Sequence, residues 1–501
     1  MVNFELTQEQ RSMVNTVREL TQEVFKPNAL KYMDGTYPWD NMHELAKIGV
    51  LGMAIPEEYG GLGLPVLDTA LVIEEISKGC YVTAMDLMGE VGVQVRIIST
   101  YAPESMKRRI LPKVCSGEYM LAVCMTEPHA GTDVGNYRTN TDIKGDRVIL
   151  NGVKTLISRV DDAQFFVVFT RVNKLPGRGG IGCVLIEKGT PGFECTARYH
   201  TMGGENLAEI RFDNCELPLE NLILKEGGFH KLINAFNTQR CLNPSVSLGL
   251  AEGAFEEAVK YARDRSAFGQ PIGEFQAIRH KLAEMYREIE ICRSLLYRAA
   301  ATANPFPDPY MAAIAKISCN EMSLRVTSDA IQIHGGFGFT DEFPVSRYYR
   351  GARYGSLGGG TTETLKDLVG KKVGIQATAK VLLNALMKKH GIAEKDVEIV
   401  IIGSEMTPIL TGQTDVVSGW ITNTTTLKPL GPDRIDLRLW DAGGRLYALP
   451  YYATKTTIEK KPEMLAEQAA KQESVKAETQ QTQQDAAANA PDAAKTLGVP
   501  F

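Results

Sequence analysis

The sequence predicts a multidomain α+β protein: a helical domain, a central antiparallel β domain, a second helical bundle and an α/β appendage. Two observations predict it. The spacing of apolar residues switches from a period near 3.6 to strand-type runs and back again, and a further change of texture follows at about residue 370. The resulting divisions are 1–120, 121–230, 231–370 and 371–465, with a polar tail over 466–501.

In the first division Met13, Val17, Leu20 and Val24 fall on one helical face, and LDTALVIEEISKGC (67–80) repeats the pattern. The turn-rich PEEYGGLGLP (56–65) separates them. The second division breaks into short runs, MLAVCMT, RVILNG, QFFVVFTR, GCVLIEKG and EIRFDNCELP, punctuated by Gly, Asn, Asp and Pro. Long helices return with FEEAVKYARDRSAF (255–268), FQAIRHKLAEMYREIEICRSLLYRAAATA (275–303) and PYMAAIAKISCNEMSLRVTSDAIQIHG (309–335), enough for a bundle. In the fourth division KKVGIQ, VEIVIIG and TDVVSGWIT read as strands, probable partners in a parallel sheet, with ATAKVLLNALMKKHG as a helix between the first two. The tail AETQQTQQDAAANAPDAAK has too few apolar groups to offset chain entropy and is expected to be disordered.

Bulk properties narrow the function classes. A 44% hydrophobic and 23% charged composition is that of a soluble globular protein. The net charge of −5 excludes nucleic-acid binding driven by bulk phosphate attraction. The nine cysteines are scattered without a CxxC pair, which reads as reduced thiols in a cytoplasmic protein, not a disulfide frame or a zinc site. The N-terminus opens directly on an amphipathic helix, so no signal peptide is expected. No apolar run reaches about 18 residues, so no membrane span is expected either.

A helical, β, helical layout favours a cofactor held between domains. The segment CMTEPHAGTDVG (124–135) joins a strand end to a loop with hydroxyls at Thr126 and Thr132 and with Gly131 and Gly135 for close backbone approach. Such a loop presents N–H and O–H donors to a polar ring edge or a phosphate. RDRSAFGQPIGEFQAIRHKLAEM (263–285) and AIQIHGGFGFTDEFPVSRYYRGAR (330–353) are two further arginine-bearing segments.

With VILNGVKTLISRVDDAQFFVV (148–168), these segments resemble the acyl-CoA dehydrogenase family over residues 5–370. The resemblance implies FAD as cofactor and an acyl-CoA thioester as substrate. It places Thr126 and Thr132 at the flavin pyrimidine edge and phosphates. An Asn-Gly hairpin turn at 151–152 would lead to Ser158 beside the flavin, with Leu156 where the family carries an aromatic ring. Arg265, Phe268, Gln276, Gln332 and Gly336 would hold the FAD pyrophosphate and adenosine of a neighbouring subunit, which implies a homotetramer. Thr361 and Glu363 would face the cofactor, and Thr132, Gln239 and Arg240 the substrate. The implied redox partner is an electron-transferring flavoprotein. GGFGF (335–339) follows a helix and lacks a third glycine, so direct nicotinamide use is unsupported.

Oxidising an acyl thioester requires removal of an α-proton while a β-hydride leaves, so a carboxylate must face the α-carbon. Most members place a glutamate just before a Gly-Thr pair, and here that position is Gly359, before Gly360-Thr361. Others place it before the arginine of an earlier helix, and here that position is Gln239, before Arg240. Neither residue takes up a proton. Asp86 and Glu90 of TAMDLMGEVGVQV (83–95) are the candidate replacements: they lie four apart on one helical face, on the segment that lines the acyl pocket in the family. Ring-acyl-CoA dehydrogenases use a pocket aspartate in this way. Met85, Leu87 and Met88 suggest an apolar lining. Alternatively the enzyme runs as an enoyl-CoA reductase, since crotonobetainyl-CoA reductases also show a Gly-Gly pair at the usual base position. A third possibility is a chain that binds flavin and CoA ester but turns over poorly.

Residues 366–465 resemble something else, part of a solute-binding protein of the kind that serves transporters, roughly one lobe of two. KDLVGKKVG reads both as the end of a dehydrogenase helix and as the start of that lobe, a junction for gene fusion. This half-lobe is expected to be an appendage. The contrasting reading of the whole chain is a non-catalytic solute-binding or interaction protein acting through it.

Overall fold

The computed structural model describes residues 5–369 throughout, together with the strand segments Lys372–Gln376, Glu398–Ile402 and Val416–Val417. The chain divides into two compact units, residues 1–372 and 373–501.

Helix α1 (Gln8–Leu20) starts at a capping box: the Thr7 hydroxyl accepts from the Gln10 amide and the Gln10 side chain accepts from the Thr7 amide. It continues through a π-helical turn (Thr21–Phe25) into the short α2 (Lys26–Asn28). Then come α3 (Trp39–Lys47), α4 (Val66–Ser77), α5 (Tyr81–Glu90), α6 (Val93–Tyr101) and α7 (Glu104–Cys115). Val17 is fully buried, and Met13, Leu20 and Val24 pack against the same core, as the helical spacing predicts.

The β domain comprises β1 (Leu121–Cys124), β2 (Asn140–Lys144), β3 (Arg147–Ser158), β4 (Phe165–Val172), β5 (Ile181–Glu187), β6 (Phe193–His200), β7 (Asn206–Pro218) and β8 (Leu222–Leu224). The order is β6-β7-β3-β2-β4-β5-β8, with β1 also on β4. Hairpin neighbours are antiparallel, but β1 and β2 both pair with β4 in parallel, so the sheet is mixed. Alternation along a strand reveals hairpins between sequence neighbours and says nothing of pairings between distant ones. The burial of β4 on both faces, Phe165 to Thr170 without a break, is the mark of its parallel contacts.

Asn151-Gly152 corrects a second expectation. The pair is not a hairpin turn but lies inside β3, at a register break between Leu150 and Gly152. The reversal into β3 comes earlier, at Gly145 (φ +64°). Gly152 is needed for another reason: a Cβ there would stand 2.5 Å from the Thr139 Cα.

The third division is a bundle of α8 (Phe229–Asp264), α9 (Gln276–Ala301), α10 (Pro309–His334), α11 (Val345–Gly355) and α12 (Thr362–Val369). Asp308 caps α10 by accepting from the Tyr310 and Met311 amides, with Pro309 in the first turn. The helix predicted to run to residue 268 ends at Asp264. Ser266–Ala267 (β9) and Gln270–Pro271 (β10) form a tight hairpin whose turn residues, Phe268 (φ +52°) and Gly269 (φ +82°), both take positive φ.

In the C-terminal segments β11 (Lys372–Gln376) lies between β12 (Glu398–Ile402) and β13 (Val416–Val417) and pairs with β13 in parallel, as the α/β texture predicts. The helix expected between β11 and β12, and the tail, lie outside the described residues.

Candidate functional site

The loop after β1 is braced from beneath by a buried ion pair. Lys154 of β3 donates to Glu127 Oε1 at 2.8 Å and to the Met125 carbonyl at 2.8 Å, and its ammonium stands 3.7 Å from the Tyr137 ring centroid. Glu127 also accepts from the amides of Arg138 and Thr139. Burial pushes the Lys154 ammonium down to about 8, while the attraction of Glu127 opposes that fall. Burial alone would raise Glu127, but Lys154 and the amide donors hold it below the usual carboxylate range. The sequence reading did not single out this pair, although Glu127 sits inside the motif it quoted.

Above the brace, Thr126 is half-buried and Thr132 exposed. The Thr155 amide donates to the Thr126 carbonyl at 2.9 Å, which ties the loop to β3. A second register shift in β3, between Lys154 and Ile157, turns Leu156 outward, where it is 54% exposed at φ +57°. A β-branch-free residue at positive φ is still strained, and bulges that re-aim a side chain cluster beside functional sites. Ser158 is half-buried, and among the described residues neither its hydroxyl nor that of Thr126 has a hydrogen-bond partner.

The loop between α11 and α12 closes the site from the bundle side. Its oxygens at Gly355 and Gly360 accept from Lys316 Nζ at 2.8 and 2.9 Å, so one buried lysine of α10 clasps both ends. Gly358 is required by contact: a Cβ there would meet the Tyr354 hydroxyl at 2.3 Å. The Thr361 and Thr364 hydroxyls lie 3.1 Å apart, and Thr364 reaches Thr132 at 3.5 Å. Through that relay the loop after β1 meets the loop before α12, joining two segments named from the sequence. Glu363 is exposed in the first turn of α12.

Gly359 and Gln239, the two positions where a base was sought, share one place. A Cβ on Gly359 would lie 3.5 Å from Lys316 Cε, 3.9 Å from Gln239 Nε2 and 4.0 Å from Phe236 Cζ. Arg240 stands alongside, donating to Asn237 Oδ1 at 2.8 Å. Lys316 escaped the sequence reading. A lysine within the apolar AAIAKISC run of a buried helix face was the available signal.

The candidate acids separate. Asp86 is buried (7% exposed), and among the described residues its carboxylate accepts no hydrogen bond. Burial pushes it well above the ordinary carboxylate range; Arg159 pulls it down, and Glu205, Glu90 and Asp162 add to the rise. Glu90 is placed differently. Its oxygens are committed to Arg159 Nη1 at 2.6 Å and to the Leu121 amide at 3.2 and 3.3 Å, with no exposure at all. Burial raises its proton affinity too, to about 7, against the pull of Arg159 and the Leu121 amide. Leu87 and Met88, expected as pocket lining, are core residues, whereas Met85 is half-buried.

Arg265, Phe268, Gln276, Gln332 and Gly336 all lie exposed, Phe268 at 97%. They sit at the end of α8, on the β9–β10 hairpin, at the start of α9, at the end of α10 and in the turn after it, and Phe268 meets Phe275 edge-on with ring centroids 6.2 Å apart.

The donor set suits FAD. The free hydroxyls of Thr126 and Ser158 and the exposed Thr132 match a polar ring edge and phosphates, and the outward Leu156 offers an apolar face to an aromatic ring system. Thr126, Thr132, Ser158 and Thr361 would hold it.

Comparison with known proteins agrees. Models of the acyl-CoA dehydrogenase N-terminal, middle and C-terminal domains match residues 7–118, 122–215 and 226–374. A model described as NMT1/THI5 like matches 354–479, overlapping the last of these across the fusion point that the sequence indicated. A 3-sulfinopropanoyl-CoA desulfinase from Cupriavidus necator is 36% identical over 73% of this chain and 95% of its own length. An acyl-CoA dehydrogenase from Bacillus subtilis is 35% identical over 73% and 98%. The structure of butyryl-CoA dehydrogenase from Megasphaera elsdenii superposes with a TM-score of 0.71 at 32% identity, covering 74% of this chain and 99% of that one. The chain therefore belongs to the acyl-CoA dehydrogenase family of FAD-binding oxidoreductases acting on CH–CH groups, with an NMT1/THI5-like segment fused behind it.

Proposed function

We propose that this chain is an FAD-dependent acyl-CoA dehydrogenase that desaturates the α,β C–C bond of an acyl-CoA thioester. The observation that carries the reading is the Thr132–Thr364–Thr361 relay, which brings the flavin loop and the loop at the usual base position into one site. Bound FAD supplies the acceptor for the β-hydride. The protein's own residues hold and orient: Thr126, Thr132, Ser158 and Thr361 at the flavin, Gln239 and Arg240 at the thioester side. With Gly359 and Gln239 unable to take the α-proton, Asp86 is the base we assign. Its carboxylate is buried, accepts no hydrogen bond among the described residues, and has a proton affinity that burial raises above the ordinary carboxylate range.

The reverse reaction, reduction of an enoyl-CoA, is favoured by a different observation. The place of the usual base holds Lys316, whose ammonium burial brings down to about 7, with the charge of Arg240 adding to the fall. A reductase needs a proton donor there, not a carboxylate. Electron exchange with an electron-transferring flavoprotein and a homotetramer fit the family. The exposed set Arg265, Phe268, Gln276, Gln332 and Gly336 has the placement needed to reach a neighbouring subunit's FAD. A cytoplasmic location fits nine cysteines that are all free. Among the described residues no helix is long and apolar enough to cross a membrane.

A visible spectrum of the purified full chain tests the reading. It should be yellow, and anaerobic addition of a short-chain acyl-CoA should bleach it. Bleaching absent with acyl-CoA, but reoxidation of the reduced protein by an enoyl-CoA, would select the reductase. A colourless protein would leave only a binding role for the C-terminal segment.

A further inference from the structure

Around Gly359 stand two cations, the buried Lys316 and the half-buried Arg240, without an anion. Lys316 is 1% exposed, and two of its three ammonium protons go to the Gly355 and Gly360 carbonyls, leaving the third. Arg240 spends Nη1 on Asn237, and its buried Nε has no partner among the described residues. Its Nη2 would lie 3.8 Å from a Cβ on Gly360. No carboxylate among the described residues forms an ion pair with either cation. Uncompensated buried charge is costly, so such a pair calls for an anion supplied from elsewhere. Burial depresses both groups, Lys316 to about 7, where the charge of Arg240 adds to the fall, and Arg240 to about 10.

A Cβ on Gly359 would make only ordinary van der Waals contacts, so the side chain missing there leaves room for a small group. The side chains bordering that position are Lys316, with Cε at 3.5 Å, and Gln239, with Nε2 at 3.9 Å, while Arg240 Nη2 stands 3.8 Å from a Cβ on the next residue. In the family the base at this place faces the substrate α-carbon, so a group filling the room would be one attached to that carbon.

We propose that the space over Gly359, bounded by Lys316, Arg240 and Gln239, is an anion subsite that takes the carboxylate of a 2-carboxyacyl-CoA. This rests on the acyl-CoA reading given above and narrows its substrate class. The substrate, in place of the protein, carries the negative charge that the two cations need.

The test compares butyryl-CoA with ethylmalonyl-CoA, which differ only by a carboxylate on the α-carbon. Dissociation constants are measured anaerobically on the FAD-loaded full chain by calorimetry and by the shift of the flavin spectrum. Ethylmalonyl-CoA should bind about tenfold tighter or better, the range of a charge-assisted hydrogen bond. Lys316→Met should erase the preference. Because that change also removes the clasp on the loop, Gly359→Glu serves as the second variant: it places a fixed carboxylate there and should also erase the preference. Equal affinities in the native chain, or a preference surviving both substitutions, overturn the proposal while leaving the acyl-CoA reading intact. Tighter binding of 3-sulfinopropanoyl-CoA, whose anion sits on the β-carbon, overturns the placement at the α-carbon. If neither butyryl-CoA nor ethylmalonyl-CoA binds, both readings fall together.

Discussion

Gly359 and Gln239 are far apart in sequence, yet a Cβ on the glycine would stand 3.9 Å from the glutamine Nε2. The two places where the family keeps its base are therefore one place reached from two elements, the loop before α12 and the helix α8. Losing the acid at both leaves that place without a carboxylate. Gly359→Glu should restore one. The substitution introduces a side chain at φ +74°, which costs on the order of 1–3 kcal/mol and should lower the melting temperature. Against that cost, butyryl-CoA should reduce the flavin roughly 10²-fold faster or more, the range of general-base catalysis. Stopped-flow reduction measures it, and an unchanged rate in a folded variant would mean that proton removal is not what limits this enzyme.

Asp86 sets the next prediction. Proton abstraction needs its ionised form, and burial raises its proton affinity well above the ordinary carboxylate range. The acidic limb of the rate profile should accordingly lie above that range, with the rate rising as pH rises through it. In Asp86→Asn the limb should vanish and the rate fall by about 10²–10⁴. Single-turnover flavin reduction between pH 5 and 9 reads both. A limb that survives the substitution would assign it to another group.

Glu90 should behave differently. Removing one partner of a buried ion pair strands the other, at about 3–5 kcal/mol. Glu90→Ala leaves Arg159 without its carboxylate and the Leu121 amide without its acceptor. Thermal unfolding should therefore show a large loss of stability. Should the variant melt normally and yet lose activity, Glu90 would be the base after all.

The brace under the flavin loop gives a pH prediction. Lys154 and the amides of Arg138 and Thr139 hold the Glu127 carboxyl below its ordinary value of 4.5. A depressed carboxyl contributes stability that is present above 4.5 and is lost as pH falls through the lower folded value. Flavin retention should follow the same course on acidification. Lys154→Met, which leaves Glu127 buried without its cation, should release FAD at neutral pH and weaken its binding roughly tenfold or more. Fluorescence of freed flavin after ultrafiltration monitors it.

How much of this was legible in the sequence depends on the kind of contact. A helix with clear 3.6 spacing, such as α1, could be read because one buried face, with Val14 and Val17, repeats locally. The parallel pairing of β4 with β1 and β2 could not, since it joins strands that no local pattern connects. The Asn-Gly pair misled because the same dipeptide serves a two-residue turn and a bulged strand, and only the approach of Thr139 decides which. Asp86 and Glu90 looked equivalent on α5. What separates them is Arg159, brought from another domain by the second bulge of β3. Lys316 was hidden for the same reason, because its partners are two carbonyls in a loop that follows another helix.

The last prediction concerns the fused segment. The first compact unit ends at Lys372, and every residue assigned to the flavin and thioester site lies within it. The family model for its last domain also ends here, at 374, while the NMT1/THI5-like match starts inside α11, at 354. A chain cut after residue 372 keeps α12, the Thr132–Thr364 contact and the loop clasped by Lys316. It should therefore fold, carry FAD in the same proportion as the full chain and be bleached by the same acyl-CoA at the same rate. Light scattering, flavin content and stopped-flow reduction compare the two forms. If the shortened chain folds and holds flavin but no longer reacts, the segment after residue 372 contributes to catalysis and is not an appendage.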